Sequence, residues 1–179
     1  GYLTPTNSIV EFKVMLKNIR IKHENSSHVC SAYRFFNNRI LQEKGSDDGE
    51  PSGSAGLPML NVIKRSELVN VACYVVRYFG GTKLGIPGLV HSYSESVRQC
   101  IIMSNLVEWS FSSKFLIVHD YQATNKIDFL IRKYNGELYA REFNLHIESK
   151  IAIKEKYVDA FKKDITENRL LEMAITKIK

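Results

Sequence analysis

Residues 68–88 read LVNVACYVVRYFGGTKLGIPG. The first half, up to Tyr78, is a nearly continuous apolar run rich in β-branched side chains, which is typical of an inner strand buried on both faces. Residues 79–88 contain four glycines and a proline, a composition that ends a strand. From Leu89 to Met103 the apolar residues recur at helical spacing. The sequence therefore predicts a strand, a glycine loop and a helix in immediate succession.

Upstream of this strand lies a second unusual segment, Ser46–Pro58, which reads SDDGEPSGSAGLP. Its acidic residues, glycines and prolines favour a loop over a helix or a strand. The β-branched and aromatic residues of 28–36 predict a strand before it, and residues 59–66 predict a short helical turn after it. Nearer the start, the alternation in Ile9–Leu16 indicates a strand, and residues 37–45 have the polar composition of a turn.

The second half of the chain has a regular order of elements. The patterns predict four strands and two amphipathic helices in the order βαββαβ: strands at 114–120, 137–142, 144–151 and 170–178, and helices at 121–134 and 154–168. The Asn135-Gly136 pair is a strong turn signal between a helix and a strand. This order defines a ferredoxin-like unit. The predicted fold class is α+β, with an N-terminal α/β domain at 1–110 and a ferredoxin-like domain at 111–179.

The composition is that of an ordinary globular protein. The 179 residues are 44% hydrophobic, 25% charged and 11% aromatic, which excludes disorder, collagen and a disulfide scaffold. No apolar run approaches the ~20 residues of a membrane span, the first residues do not resemble a signal peptide, and the three cysteines form no CxxC pair. We expect a cytoplasmic protein with reduced thiols and no membrane partner. The net charge of +6 is spread over both halves and is too small to identify an anionic partner.

The acidic residues of the first loop are weak candidates for catalysis. Asp47, Asp48 and Glu50, together with His28, could form an acid–base group or hold a divalent cation. Their spacing does not match a calcium loop, and the favoured alternative is a solvated turn in which an aspartate caps local amides and pairs with Lys83 or Arg77. The sequence predicts no metal site and no cofactor.

The glycine loop is the candidate anion site. Glycines let a ligand approach the backbone closely, and the amides at a helix N-terminus favour phosphate or carboxylate. Aromatic residues beside basic ones also suit stacking on nucleic-acid bases. The spacing matches neither the P-loop nor the dinucleotide-binding pattern, so a tight turn that serves local packing stays an equal alternative. The candidate anion-binding or nucleic-acid-binding residues are Arg77, Tyr78, Gly80, Gly81, Lys83, Gly85 and Gly88.

Two motifs together resemble a known family. SDDGEPSGSAGLPML, followed by VVRYFGGTKLGIPGLVHSYSESV and preceded by HVCSAY, is similar to the IMPACT/YigZ family over residues 28–103. The resemblance implies a first domain like the second domain of a small-subunit ribosomal protein and a second domain like the last domain of elongation factor G. The positions that match the family motifs are His28, Asp47, Asp48, Gly49, Glu50, Pro51, Gly53, Gly56, Arg77, Tyr78, Gly80, Gly81, Lys83, Leu84, Gly85 and Gly88.

The resemblance implies binding to RNA or to the ribosome and translation factors, because both related domains contact RNA. The leading hypothesis is therefore a non-catalytic protein with a role in translation regulation. One alternative is an enzyme that acts on an anionic substrate between the acidic loop and the glycine loop. The other alternative is a protein–protein interaction module, which predicts a broad exposed apolar patch.

Overall fold

The computed structural model describes residues 1–167 and 175–178. The chain divides into two compact units, Gly1–Val107 and Glu108–Lys179, each of which is described by itself. The sequence predicted the division slightly further along, at residue 110. Both units contain an antiparallel four-stranded sheet with helices, which confirms the α+β fold class.

The first unit has a sheet of order β1-β4-β2-β3. Its elements are β1 (Tyr2–Pro5), α1 (Ile9–Lys22), β2 (His28–Asn37), β3 (Ile40–Ser46), α2 (Gly56–Arg65), β4 (Val71–Arg77) and α3 (Gly85–Ile102). The apolar strand that the sequence predicted is β4, an inner strand with four consecutive buried residues, and it leads through the glycine loop into α3.

Alternation along the inner strands places a core on each face of this sheet. Cys30 and Cys73 point to the side covered by α2 and α3, where Met59, Ile63 and Val97 complete the larger core. The neighbouring strand residues point to the other side, where α1 supplies the smaller core: Phe12, Ile19, Val29, Ala72 and Tyr74. The unit is thus a three-layer arrangement of helix, sheet and helices.

The prediction of a strand at Ile9–Leu16 is wrong, because this segment begins helix α1. Ser8 caps the helix by accepting a hydrogen bond from the Glu11 amide at 3.2 Å, and the Glu11 carboxylate accepts one from the Asn7 amide at 2.8 Å. The sequence has the S-x-x-E spacing of a capping box, and the bond to Ser8 is that of the box, although the Glu11 carboxylate reaches the amide before the cap residue instead of the Ser8 amide. The spacing of the buried Phe12 and Ile19 also suits one face of a helix.

The prediction of a turn over residues 37–45 is also wrong for most of its length. Residues 38 and 39 form the turn, with φ of 48° and 67°, and the chain then returns as strand β3. A two-residue loop with both residues at positive φ is the preferred hairpin connection. Because Arg39 is not a residue type that usually signals such a turn, the pattern did not reveal the hairpin.

The second unit has the predicted βαββαβ order, with sheet order β6-β7-β5-β8. Its elements are β5 (Ser112–His119), α4 (Thr124–Lys133), β6 (Glu137–Phe143), β7 (Ile147–Lys154), α5 (Val158–Glu167) and β8 (Ile175–Ile178), and short 3₁₀ turns precede α4 and α5. Asn135 has a φ of 48°, as the turn signal requires. Residues 168 and 170–174 of the predicted last helix and strand lie outside the described residues.

Within the described part of the chain, no helix combines the length and the apolar character that crossing a membrane requires.

Candidate functional site

Asp47 is the residue that organises the acidic loop. One carboxylate oxygen accepts hydrogen bonds from the amides of Ala55 at 3.0 Å and Gly56 at 2.7 Å, and the other accepts from the Gly53 amide at 2.9 Å. Burial raises the pKa of this carboxyl, but the three amides outweigh burial and hold the pKa below its usual range. Asp47 therefore serves as the cap of helix α2.

Asp48 joins the loop to the first helix and to β2. Its carboxylate accepts hydrogen bonds from the Arg20 guanidinium at 2.6 Å and from the Val29 amide at 2.7 Å. Its carbonyl oxygen accepts a hydrogen bond from His28 Nδ1 at 2.8 Å. The backbone of Asp48 has a φ of 45°, which turns the chain so that both groups face the sheet.

Glu50 lies at the centre of a buried polar cluster. Its side chain is 3% exposed, and the oxygen Oε1 accepts hydrogen bonds from the Arg77 guanidinium and from the Tyr93 hydroxyl, the latter at 2.8 Å. Burial raises the pKa of Glu50, but the two hydrogen bonds and the nearby His28 hold the pKa below its usual range. Glu50 is therefore a charged carboxylate held inside the protein by a cation and a hydroxyl.

Cys30 completes this buried cluster on the β2 side. The thiol is fully buried and donates a hydrogen bond to the carbonyl oxygen of Asp47 at 2.9 Å. Burial raises the pKa of Cys30 to about 12 and also raises the pKa of Tyr93, which lies beside it. A thiol in this state is a poor nucleophile, since the thiolate is the reactive form. The Cys30 thiol is therefore a structural part of the cluster.

The register of the sheet brings the cluster together. His28 on β2 pairs directly with Arg77 on β4, so both side chains lie on the face that α2 and α3 cover. Arg77 is the last residue of its strand and belongs to the cluster by its ion pair with Glu50. The expectation that Arg77 adds positive charge to the glycine loop therefore competes with this pairing.

The glycine loop itself lies outside the cluster and is open to solvent. Around Gly80 and Gly81 there is no neighbouring atom within 4 Å of the position where a Cβ would lie, and Gly81 has a φ of 90°. Gly85 also has a positive φ, 68°, where it begins helix α3. Lys83 is exposed and makes no hydrogen bond or ion pair with the residues that the structure describes.

An exposed apolar surface flanks Lys83. Tyr78, Phe79, Leu84 and Ile86 are each between 47% and 57% exposed, and we call these four residues with Lys83 the loop patch. The base of the loop is anchored, because the Phe79 amide donates a hydrogen bond to Ser27 Oγ at 3.1 Å. The Arg77 guanidinium also lies 5.5 Å from the centre of the Phe79 ring, a cation–π distance.

Sequence reasoning missed two residues that position these groups. Tyr93 lies in the helix that the sequence predicts from Leu89, where its spacing indicates only a core position, and its hydroxyl donates to Glu50. The sequence indicates no partner for His23, whose two ring nitrogens lie 2.6 Å from the Tyr2 hydroxyl and 2.7 Å from the Tyr78 hydroxyl. The sequence could have indicated the role of Tyr93, because a tyrosine at a core position has a hydroxyl that needs a hydrogen-bond partner.

The candidate catalytic carboxylates do not converge on an open site. Asp47 binds backbone amides, Asp48 binds Arg20, and Glu50 binds Arg77 and Tyr93. Within residues 1–167 and 175–178, no group of three or more His, Cys, Asp or Glu side chains could hold a metal ion. All three carboxylates therefore have structural partners.

Comparison with known proteins identifies the type of domain that the first unit is and the family to which the chain belongs. Residues 1–101 match the family model described as the Impact N-terminal domain. The acidic loop and the glycine loop both lie in this region. The chain belongs to the IMPACT family, which confirms the resemblance carried by the two loops.

Curated relatives extend this similarity over both units. The chain is 34% identical to the IMPACT family member YvyE of Bacillus subtilis, over 99% of this chain and 87% of the relative. It is 34% identical to an IMPACT family member of Haemophilus influenzae, over 93% of this chain and 81% of that protein. Its identity to YigZ of Escherichia coli is 28%, over 89% and 78% of the two chains.

A solved structure shows the same fold. The crystal structure of a hypothetical protein superposes with a TM-score of 0.64 at 24% sequence identity, covering 99% of this chain and 86% of the other. At this identity the likeness concerns the fold alone.

Proposed function

We propose that this protein is a non-catalytic binder of single-stranded RNA in the cytoplasm, and that the loop patch is its contact surface. The observation that carries the proposal is the combination of two half-exposed aromatic rings, Tyr78 and Phe79, with the unpaired cation of Lys83 on one open loop. Aromatic rings stack on bases of any sequence, and a lysine contacts the phosphates between them. Ribosomal and other translation-associated RNA is the ligand class that suits the family resemblance.

The glycines support this use of the loop. Gly80 and Gly81 carry no side chain, and the space around them is open, so a nucleic-acid backbone can approach the main chain there. The adjoining N-terminus of α3 adds amide groups and the positive end of a helix dipole, both of which favour phosphate.

The buried cluster supports the same proposal indirectly. The ion pair between Arg77 and Glu50 fixes the end of β4, directly before the two aromatic residues. The Tyr78 hydroxyl is also held by His23 at 2.7 Å. Anchored rings lose less conformational entropy on binding than free ones do, which raises affinity.

Titration of a fluorescent single-stranded RNA at several salt concentrations tests the proposal. We expect an affinity that falls with salt, a loss of about tenfold in Phe79→Ala, and a salt slope smaller by about one in Lys83→Ala. Matched controls are Phe129→Ala and Lys126→Ala, which change an exposed aromatic residue and an exposed lysine on helix α4. An affinity that is independent of salt, or equal losses in the test and control variants, would contradict the proposal.

A second candidate function is supported by Leu84 and Ile86. These aliphatic side chains are about half exposed and, unlike aromatic rings, do not stack on bases. Exposed aliphatic residues beside aromatic ones are typical of a protein-binding patch. If Leu84→Ser and Ile86→Ser abolish capture of a translation factor while leaving RNA affinity unchanged, the protein–protein function is the correct one.

A further inference from the structure

A separate groove lies between helices α2 and α3 on the outer face of the first unit. Its volume is about 300 Å³, and its walls include Asn61 and Arg65 from α2 and Ser94 and Arg98 from α3. On each helix the two polar residues are four positions apart, so they lie one turn above each other on the same side. The two helices therefore bring two arginines to one groove.

The groove carries positive charge without a compensating carboxylate in its wall. No aspartate or glutamate lines it among the residues that the structure describes. Arg65 has no ion pair or hydrogen bond within the described part of the chain. Arg98 contacts Glu95 at 3.2 Å, but both side chains are more than two-fifths exposed, and such a pair contributes little.

Ser94 adds a neutral hydrogen-bonding group to the groove. The residue is 8% exposed, it lines the groove, and its hydroxyl makes no hydrogen bond with any residue that the structure describes. Its oxygen is not one of the solvent-excluded side-chain atoms that lack a partner, so the hydroxyl is accessible from the groove. The hydroxyl of Ser94 is therefore available to a molecule that enters the groove.

We propose that this groove binds the phosphate group of a small phosphomonoester. A phosphomonoester carries a charge of about −1.5 to −2 at neutral pH, which matches two guanidinium groups better than the single charge of a phosphodiester does. Arg65 and Arg98 donate to the phosphate oxygens, and Ser94 donates its hydroxyl. The apolar side chains of Val62 and Val90 in the same wall contact the organic part of the ligand.

The site is distinct from the loop patch, since the groove includes none of the five loop-patch residues. Its test is a titration of the ¹⁵N-labelled protein with inorganic phosphate, with adenosine monophosphate and with an oligouridine that has a 5′-hydroxyl and hence no monoester. We expect saturable shifts of the Asn61 and Ser94 amides with the first two probes at millimolar concentration. The dissociation constant should rise at least about tenfold in R65Q/R98Q.

The matched control is K13Q/K17Q, which removes the same charge from α1 on the opposite face of the sheet. This control, Lys83→Ala and Phe79→Ala should all leave phosphate affinity unchanged, which separates this site from the proposed RNA surface. Ser94→Ala gives a second variant that keeps both arginines and should weaken binding. The proposal is overturned if phosphate and adenosine monophosphate produce no saturable shift at Ser94, if R65Q/R98Q and K13Q/K17Q bind them equally, or if the oligouridine alone shifts these amides.

Discussion

The Tyr93 hydroxyl donates a 2.8 Å hydrogen bond to the buried Glu50 carboxylate, on the same oxygen that pairs with Arg77. A helix, a loop and a strand thus meet at one oxygen atom. Because the negative charge is buried, each donor to it stabilises the first unit. The stability of this unit should therefore depend on both donors. Removing the Arg77 cation should cost more free energy of unfolding than removing the Tyr93 hydroxyl.

Tyr93→Phe should lower the free energy of unfolding by about 1.5–3 kcal/mol. The substitution keeps the ring in the core and removes one hydrogen bond to a charged group, for which this is the usual magnitude. Calorimetric unfolding is the measurement. Tyr121→Phe, which loses an exposed hydroxyl that donates to the Asn144 carbonyl, is the control and should change little. Equal stabilities of Tyr93→Phe and the wild type would show that the hydrogen bond is not important.

Arg77→Met should destabilise the protein strongly and Lys83→Ala should hardly change its stability, although the sequence analysis grouped these residues together. Removing the Arg77 cation leaves the Glu50 carboxylate buried and unpaired, which costs about 3–5 kcal/mol. Removing the exposed Lys83 should change stability by less than about 0.5 kcal/mol. Thermal unfolding of both variants checks the order. Similar midpoints would mean that the ion pair with Glu50 is not a major contributor.

Asp47→Asn should reduce the sensitivity of the first unit to acid. The pKa of Asp47 is lower in the folded chain than in the unfolded chain, so the unfolded chain binds more protons at acidic pH. The contribution to stability is complete above the unfolded value of about 3.9 and is lost as the pH falls through the folded pKa. We expect the variant to be less stable at neutral pH and to lose less stability on acidification. The exposed Glu24→Gln, which removes one carboxylate from the surface of the same unit, is the control and should be as stable as the wild type at neutral pH.

Local patterns were sufficient for the elements whose signal lies within one segment. The apolar residues of β4 and the turn at Asn135 fall in this class. The prediction of a strand at Ile9–Leu16 is wrong because the β-branched residues of this segment favour strands. The cap at Ser8 and the burial of Phe12 and Ile19 stabilise a helix instead. Here tertiary packing overrides intrinsic propensity.

The candidate site was predictable only as two unusual loops. Glu50, Arg77 and Tyr93 are widely separated in sequence, and their contact depends on the register that pairs His28 with Arg77. No local spacing encodes this register. The sequence therefore indicated which residues are unusual and offered Arg77 as one of two partners for the acidic loop, but not that Glu50, rather than an aspartate, is the residue it pairs with.

The three cysteines should differ sharply in reactivity. The thiol of Cys30 is fully buried and its pKa is raised to about 12. A hydrogen bond to Cys100, together with burial, raises the pKa of Cys73. The same hydrogen bond from Cys73 lowers the pKa of the partly exposed Cys100. Ellman's reagent should therefore label one thiol rapidly in the native protein at neutral pH. Cys100→Ala should abolish this rapid phase, and a rapid phase that persists would assign the reactivity to another cysteine.

Ser149→Ala should destabilise the second unit through His119. Arg141 Nε donates to Ser149 Oγ at 2.9 Å, so the serine proton is directed to His119 Nε2, also at 2.9 Å. His119 and Ser149 are fully buried, and His119 Nδ1 donates to the Asp120 carbonyl at 3.0 Å. Without the hydroxyl, His119 Nε2 and Arg141 Nε lose this partner, while the Arg141 guanidinium keeps its ion pair with Asp128.

The expected loss is about 1–3 kcal/mol, the usual cost of leaving a buried polar group unpaired. Fluorescence of Trp109, the only tryptophan of the chain and a residue of this unit, reports the urea unfolding transition. Ser112→Ala, which changes an exposed serine on the same strand as His119, is the matched control. A variant Ser149→Ala that unfolds at the same urea concentration as Ser112→Ala would show that the buried chain of hydrogen bonds does not stabilise the unit.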